Sequence, residues 1–206
     1  MVGSYPVQFD VDFPARPLNR LTTAFRLFAA IPILIVIATL SGETLQANNH
    51  TNEYSLASGG GVLFLPLVLM IVFRQKYPRW WFDWNINFLR FSNRVTVYVA
   101  LLDDRYPSTD EEQSVHLDFA YPDALQLNRW LPLIKWLLAL PHYILLLFLW
   151  IAVLGSVVLA WFAILFTGSY PRNLFDFVVG VLRWTNRVNG YAFVLVTDQY
   201  PPFSLA

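Results

Sequence analysis

LPLIKWLLALPHYILLLFLWIAVLGSVVLAWFAILFT, Leu131 to Thr167, is 37 residues long and carries one charge, Lys135. As a single helix it would measure about 55 Å at ~1.5 Å per residue, against a hydrocarbon core of about 30 Å. One straight helix across a bilayer does not fit that length. Two helices of roughly 18 residues do fit, and Gly155-Ser156 is the place for a tight turn between them. The run therefore reads as two spans, about 131–152 and 155–168.

Two more apolar runs lie upstream. TTAFRLFAAIPILIVIATL, Thr22 to Leu40, is interrupted only by Arg26 and Pro32 and approaches the roughly 20 residues that a spanning helix needs. VLFLPLVLMIVF, Val62 to Phe73, reaches only about 18 Å as a helix. A span there, about 58–74, must borrow from Leu56–Gly61, tilt in thinned lipid or be re-entrant. Composition points the same way, because 56% of residues are hydrophobic and 14% charged, where soluble chains carry about a quarter charged. Lys+Arg and Asp+Glu number 14 each, so there is no basic field to attract nucleic acid. The absence of cysteine removes disulfides, thiolate nucleophiles and Cys-ligated metal centres. MVGSYPVQFDVDFPARPLNR places two aspartates and several prolines ahead of the first apolar run, which reads as a retained anchor and not as a cleaved signal.

Lys and Arg collect on the cytoplasmic side of membrane proteins. None of the 14 falls in the two segments that would form outer loops. Arg16, Arg20 and Arg26 precede or open span one, Arg74 to Arg129 lie between spans two and three, Lys135 sits early in span three, and Arg172, Arg183 and Arg187 follow span four. Four spans put all of them on one side, with both termini cytoplasmic.

The chain also repeats itself. VQFDVDFP, Val7 to Pro14, leads to LNRL at Leu18–Leu21, and VHLDFAYP, Val115 to Pro122, leads to LNRW at Leu127–Trp130. After the second span of each half, KYPRWWFDWNINFLRFSNRVTVYVALLDDRYP, Lys76 to Pro107, is answered by SYPRNLFDFVVGVLRWTNRVNGYAFVLVTDQYP, Ser169 to Pro201. The expected organisation is repeat one over 1–108 and repeat two over 109–206, forming one membrane domain. With two spans each, the copies run in parallel topology about an axis along the membrane normal. About sixteen extra residues, 41–60, distinguish the outer loop of the first copy.

RWWFDWNINFLRFSNR, Arg79 to Arg94, puts Trp81, Trp84, Phe88 and Phe91 on one helical face, and Arg172 to Arg187 is its counterpart. These read as amphipathic helices in the cytoplasmic headgroup region, with Arg79, Trp80, Trp81, Trp84, Arg172 and Trp184 as candidates for lipid headgroup contact. Arg79–Asp83 and Arg172–Asp176 have the spacing of helix-surface ion pairs. VTVYVALL, Val95 to Leu102, and YAFVLVT, Tyr191 to Thr197, are short and rich in β-branched and aromatic residues, as strands are. Val7–Phe13 and Val115–Ala120 alternate in the same style. The expected fold is thus a mainly α membrane protein with four transmembrane helices. Each repeat consists of strand, helical hairpin, interfacial helix and strand, and the strands form a small cytoplasmic β-sheet. Asp83, Arg90, Asn93 and Arg94, matched by Asp176, Arg183, Asn186 and Arg187, are the candidate structural joints between helix and strand.

Candidate chemistry is sparse. His50, His116 and His142 have no second ligand at metal spacing, and His142, among Trp136, Tyr143, Phe148 and Trp150, is the one weak candidate for a pigment-type cofactor. Asp103, Asp104, Asp110, Glu111 and Glu112 lack a glycine-centred calcium ladder and read as a solvated linker. Arg26 and Lys135 correspond across the repeat near the cytoplasmic ends of their helices, where cations can snorkel. No nucleophile–base set or phosphate loop is present, Gly59–Gly61 lacking the Lys and Ser/Thr of a P-loop, and Asn49-His50-Thr51 is a weak glycosylation match.

The paired NR phrases, the LNRL and LNRW openings, and YPRWWFDW and YPRNLFDF with DRYP and DQYP resemble the bacterial membrane-protein family known as domain of unknown function 4389. The resemblance covers most of the chain and implies a small prokaryotic integral membrane protein, with no catalytic residues and no cofactor to carry over. The functional expectation is a non-enzymatic accessory or scaffold subunit in a prokaryotic inner membrane. Its partners would be membrane lipids and other membrane subunits or a second copy, and not nucleic acid. A small transporter or channel, or a lipid-binding protein, is the alternative.

Overall fold

Alternation of apolar and polar residues makes two strands, β1 (Val7–Val11) and β2 (Val115–Phe119). In the computed structural model, which describes residues 5–41, 66–109 and 111–206, they pair antiparallel with Phe9 opposite Leu117 at the centre. Odd-numbered side chains are buried and even-numbered ones exposed. The expectations placed on His50, Asn49-His50-Thr51, Gly59–Gly61, Asp110 and the first half of the 58–74 span lie outside the described residues.

The helices follow in matched sets. Asn19 caps α1 (Arg20–Ala24), its side-chain oxygen accepting from the backbone N–H groups of Leu21 and Thr22. The chain turns at Phe25 and continues as α2 (Arg26–Ser41). Residues 66–69 are helical and pass into the π-helical turn α3 (Met70–Arg74), closed by Gln75 in a left-handed conformation. Pro78, extended, starts α4 (Arg79–Val99). In the second half a short turn at Leu131–Leu133 and α5 (Lys135–Leu138) lead to α6 (Leu140–Thr167), closed by Gly168 at φ 77°. Pro171 starts α7 (Arg172–Ala192). The amphipathic helices form the centre: α7 packs on β1 and α6, and α4 on β2 and α2.

Three expectations are corrected. No turn occurs at Gly155-Ser156, because α6 runs unbroken for 28 residues. The hydroxyl of Ser156 donates to the carbonyl of Ala152 inside the helix, and Gly155 faces open space, so nothing there opposes helical continuation. Val95–Leu102 and Tyr191–Thr197 are not strands, since α4 and α7 continue to Val99 and Ala192. Val95, Tyr98 and Tyr191 are buried at helical positions, where packing outweighs β-propensity, and Val194, Leu195, Val196 and Thr197 are buried beyond the end of α7 outside any strand. The span at 22–40 is broken at Phe25, leaving α2 with 16 residues. Among the described residues α6 alone is long and apolar enough to cross a membrane.

Both long amphipathic helices end in the same unusual turn. Leu101 and Leu195, at φ 65° and 61°, adopt the left-handed conformation that costs a leucine about 1–2 kcal/mol. Both are buried, and the next residue of each returns its N–H to the helix, Leu102 to the carbonyl of Val97 and Val196 to that of Gly190. The turn redirects the chain so that Asp104 and Asp198 face back toward the start of α2 and α5.

Gly155→Ala tests the unbroken helix. Replacing a helical glycine with open space around it stabilises by about 0.5–1 kcal/mol, so the melting temperature rises; a clear fall would indicate a turn at that position. Gly190→Ala has the opposite sign, because a Cβ there would lie 2.6 Å from a methyl of Val7. Overpacking of this kind costs about 1–3 kcal/mol, read as a lowered melting temperature.

Candidate functional site

The joint phrases LRFSNR and LRWTNR lie at the centre of α4 and α7. Asn93 and Asn186 are buried and face each other, each amide nitrogen donating to the other's oxygen at 2.9 and 2.8 Å. Each nitrogen also donates to the carbonyl four residues back, Leu89 or Leu182, which fixes which end of each amide is nitrogen.

Arg90 and Arg183 reach from these helices to the ribbon. Bonds flank the central pair at Pro6–Ala120 and Asp12–Ser114, so the odd-numbered residues face each other without exchanging hydrogen bonds, and their carbonyls point off the ribbon edges. Arg90 donates to the Leu117 carbonyl at 2.9 Å, and Arg183 to the Phe9 carbonyl at 2.9 Å. Each guanidinium also approaches the acid that follows, Asp118 at 3.8 Å and Asp10 at 3.0 Å. The helix of each half therefore holds the strand of the other half. Arg94 and Arg187 lie one turn on and donate to the carbonyls of Ser108 and Ser204.

Two buried cations complete the polar frame. Arg26, 2% exposed, bonds the carbonyls of Tyr98 and Asp103 and the carboxylate of Asp104, with its guanidinium 4.3 Å from the centre of the Tyr98 ring. Lys135, 0% exposed, bonds the carbonyl of Thr197 and pairs with Asp198 at 2.7 Å. Burial pushes the Lys135 ammonium below its ordinary pKa, and the hydrogen bond and charge of Asp198 oppose that shift. The same two aspartates accept the backbone N–H groups of Asn19 and Asn128. Their role had a readable signal: matched buried cations require matched acids, and DRYP and DQYP offer them at equivalent places. Asp104 reads as part of a solvated linker, and Asp198 carries no mark beyond the repeated DQYP.

The other expected site residues separate. Asp83 and Asp176 do not join helix to strand; they pair with Arg79 and Arg172 at 3.3 and 3.2 Å on exposed first turns. Arg79 and Arg172 also lie over the rings of Tyr121 and Phe13 from the opposite half. Trp80 and Trp84 are exposed, whereas Trp81 and Trp184 are buried and cannot reach headgroups. Trp184 donates its indole N–H to Nδ1 of His142 at 3.0 Å. The His142 ring stacks on Phe203 at 4.1 Å, and its Nε2 is buried without a hydrogen-bond partner.

Two surfaces remain. Over the polar face of the ribbon runs an open groove of about 1340 Å³, lined by Asp10, Asp12, His116, Asp118, Arg90 and Arg183 among others. Its charges are largely paired, including His116 with Asp12 at 3.0 Å, and no group of His, Asp or Glu among the described residues is arranged to hold a metal. On α6 every exposed side chain between Leu140 and Phe166 is apolar, and the exposed side chains of Leu27, Phe28, Ile31, Leu34 and Ile35 extend the same chemistry along α2.

These features define a helical protein with a charged ribbon, a polar frame and a large exposed apolar surface. Residues 130–204, from the turn before α5 to the segment beyond α7, match the family model described as Domain of unknown function (DUF4389), and the chain resembles that family. No curated protein and no solved structure matches it.

The Lys135–Asp198 pair gives a sharp stability test. Asp198→Ala leaves a buried ammonium without its counter-ion, a loss of about 3–5 kcal/mol, and Lys135→Met in the same chain restores most of it. Equal melting of the single and double variants would contradict a structural pairing.

Proposed function

We propose that the protein is a non-enzymatic accessory or scaffold subunit of a larger membrane assembly, held in a prokaryotic cytoplasmic membrane with the ribbon and both termini on the cytoplasmic side. The observation that carries this reading is the outer face of α6, where every exposed side chain from Leu140 to Phe166 is apolar. A patch of this extent in water drives association, and lipid or partner helices are its natural cover. The two halves are read as parallel repeats, because their strands, caps, arginines and buried cations occur in the same order.

Two further observations favour a structural role over transport or catalysis. Arg26 and Lys135, the cations that an ion pathway would need, are each committed to an aspartate and to backbone carbonyls. Arg90 and Arg183, which a lipid-headgroup site would need, are committed to ribbon carbonyls. The arrangement holds parts together and leaves no converging nucleophile, base and electrophile among the described residues.

Gentle extraction from native membranes followed by native mass spectrometry tests the proposal. The expected species is heavier than the 23.8 kDa chain by a defined subunit or by a second copy. A lone 23.8 kDa protein across detergents that preserve other complexes contradicts it.

A further inference from the structure

The ends of α6 determine its direction. Near its start, Lys135 is held by Asp198, which also takes the N–H of Asn128. At its end, the carbonyl of Gly168 accepts the N–H of Leu18. The next residue, Asn19, gives its own N–H to Asp104, which holds Arg26. The sets Asn128–Lys135–Asp198 and Asn19–Arg26–Asp104 are one arrangement met twice. A pseudo-two-fold axis exchanges them, passing through the Phe9–Leu117 pair and the Asn93–Asn186 bridge, whose partners exchange bonds reciprocally. Two points exchanged by a two-fold axis lie at equal height along it. A helix that joins them runs across the axis and not along it.

Resting on the membrane reading above, we infer that α6 does not cross the bilayer but lies flat in one leaflet, with its outward apolar side chains among the acyl chains of that leaflet. The ribbon turns its charged face outward at one end of the axis, and α6 crosses the other end with its apolar side outward for about 42 Å. A spanning α6 would require the axis to lie in the membrane plane. That would set the ribbon, with Asp10, Asp12, His116 and Asp118 exposed, at the depth of the bilayer centre, where charge is least tolerated. With the axis along the membrane normal, those charges face water and only apolar side chains meet acyl chains.

The rim fits the same placement. Arg20 lies against Gly168 at one end of α6, and Arg129, which bonds the side chain of Gln75, precedes its other end; both are exposed and reach phosphate at one level. Trp130 and Trp136 are exposed beside Arg129, as interfacial aromatics are. The arrangement also keeps the cations before and after the 131–167 run on one side without a helical hairpin, because no crossing is as even as two.

The cysteine-free chain allows a direct test with the full-length protein. Ile144, Ile151, Val158 and Phe166 are exposed along the outward face of α6, and each is replaced singly by cysteine and labelled with a nitroxide. The protein is reconstituted in vesicles of phosphatidylethanolamine and phosphatidylglycerol, and depth is read from relaxation by oxygen against a nickel chelate. The expected result is one depth at all four sites, about 5–10 Å below the headgroups. A profile in which Ile144 and Phe166 are shallow and Ile151 and Val158 lie near the midplane overturns the flat placement while leaving the membrane reading intact. Four water-exposed labels, or failure of the unlabelled protein to float with the vesicles, overturn both. As a second readout, Gln126→Cys and Ser169→Cys, at the two ends, react with an impermeant maleimide from the same side; reaction from opposite sides overturns the inference.

Discussion

A two-stranded ribbon is marginal in water because its edges leave backbone groups unpaired. Here the two carbonyls at its centre, those of Phe9 and Leu117, each receive an arginine, Arg183 and Arg90 respectively. The strand of each half is held by the helix of the other half, and Phe13 and Tyr121 pack in the same crossed sense against Phe175 and Phe82. The Asn93–Asn186 bridge joins the same two helices near their centres. Neither half has its complete core without the other.

The buried cations extend this logic to the periphery. Arg26 and Lys135 tie the first turn of an apolar helix to the segment leaving an amphipathic one, through Asp104 and Asp198. Reaching that geometry requires Leu101 and Leu195 in left-handed conformations, a local cost offset by burial of both side chains. Together these ties hold apolar helices whose outward side chains are exposed.

Much of this was legible in the sequence, and the part that was not has a physical reason. The alternation in VQFDV and VHLDF identified β1 and β2, and the phrases after YPR marked the starts of α4 and α7. The arginine and asparagine positions of the joints were identified, but their partners were not, because a carbonyl acceptor leaves no mark in side-chain pattern. The strand expected at 95–102 is mostly helix because branched residues at a helix end pack as well as in a sheet, and most of 191–197 is buried as irregular chain around the left-handed Leu195. The hairpin expected at Gly155-Ser156 failed for a different reason: helix length was compared with bilayer thickness on the assumption that the helix crosses. A helix that lies flat in one leaflet, as inferred for α6, is free of that limit.

The protein thus combines a charged ribbon, a frame of reciprocal polar ties and an exposed apolar surface, and its proposed scaffold role rests on keeping these three in fixed relation. The most direct test of the interlocked halves is a cysteine pair across the ribbon, Asp10→Cys with His116→Cys, at positions that face each other in the register. Oxidation is predicted to give an intramolecular disulfide, seen as a faster-migrating monomer that reverts on reduction. Failure to crosslink, or crosslinking only between chains, would contradict the account.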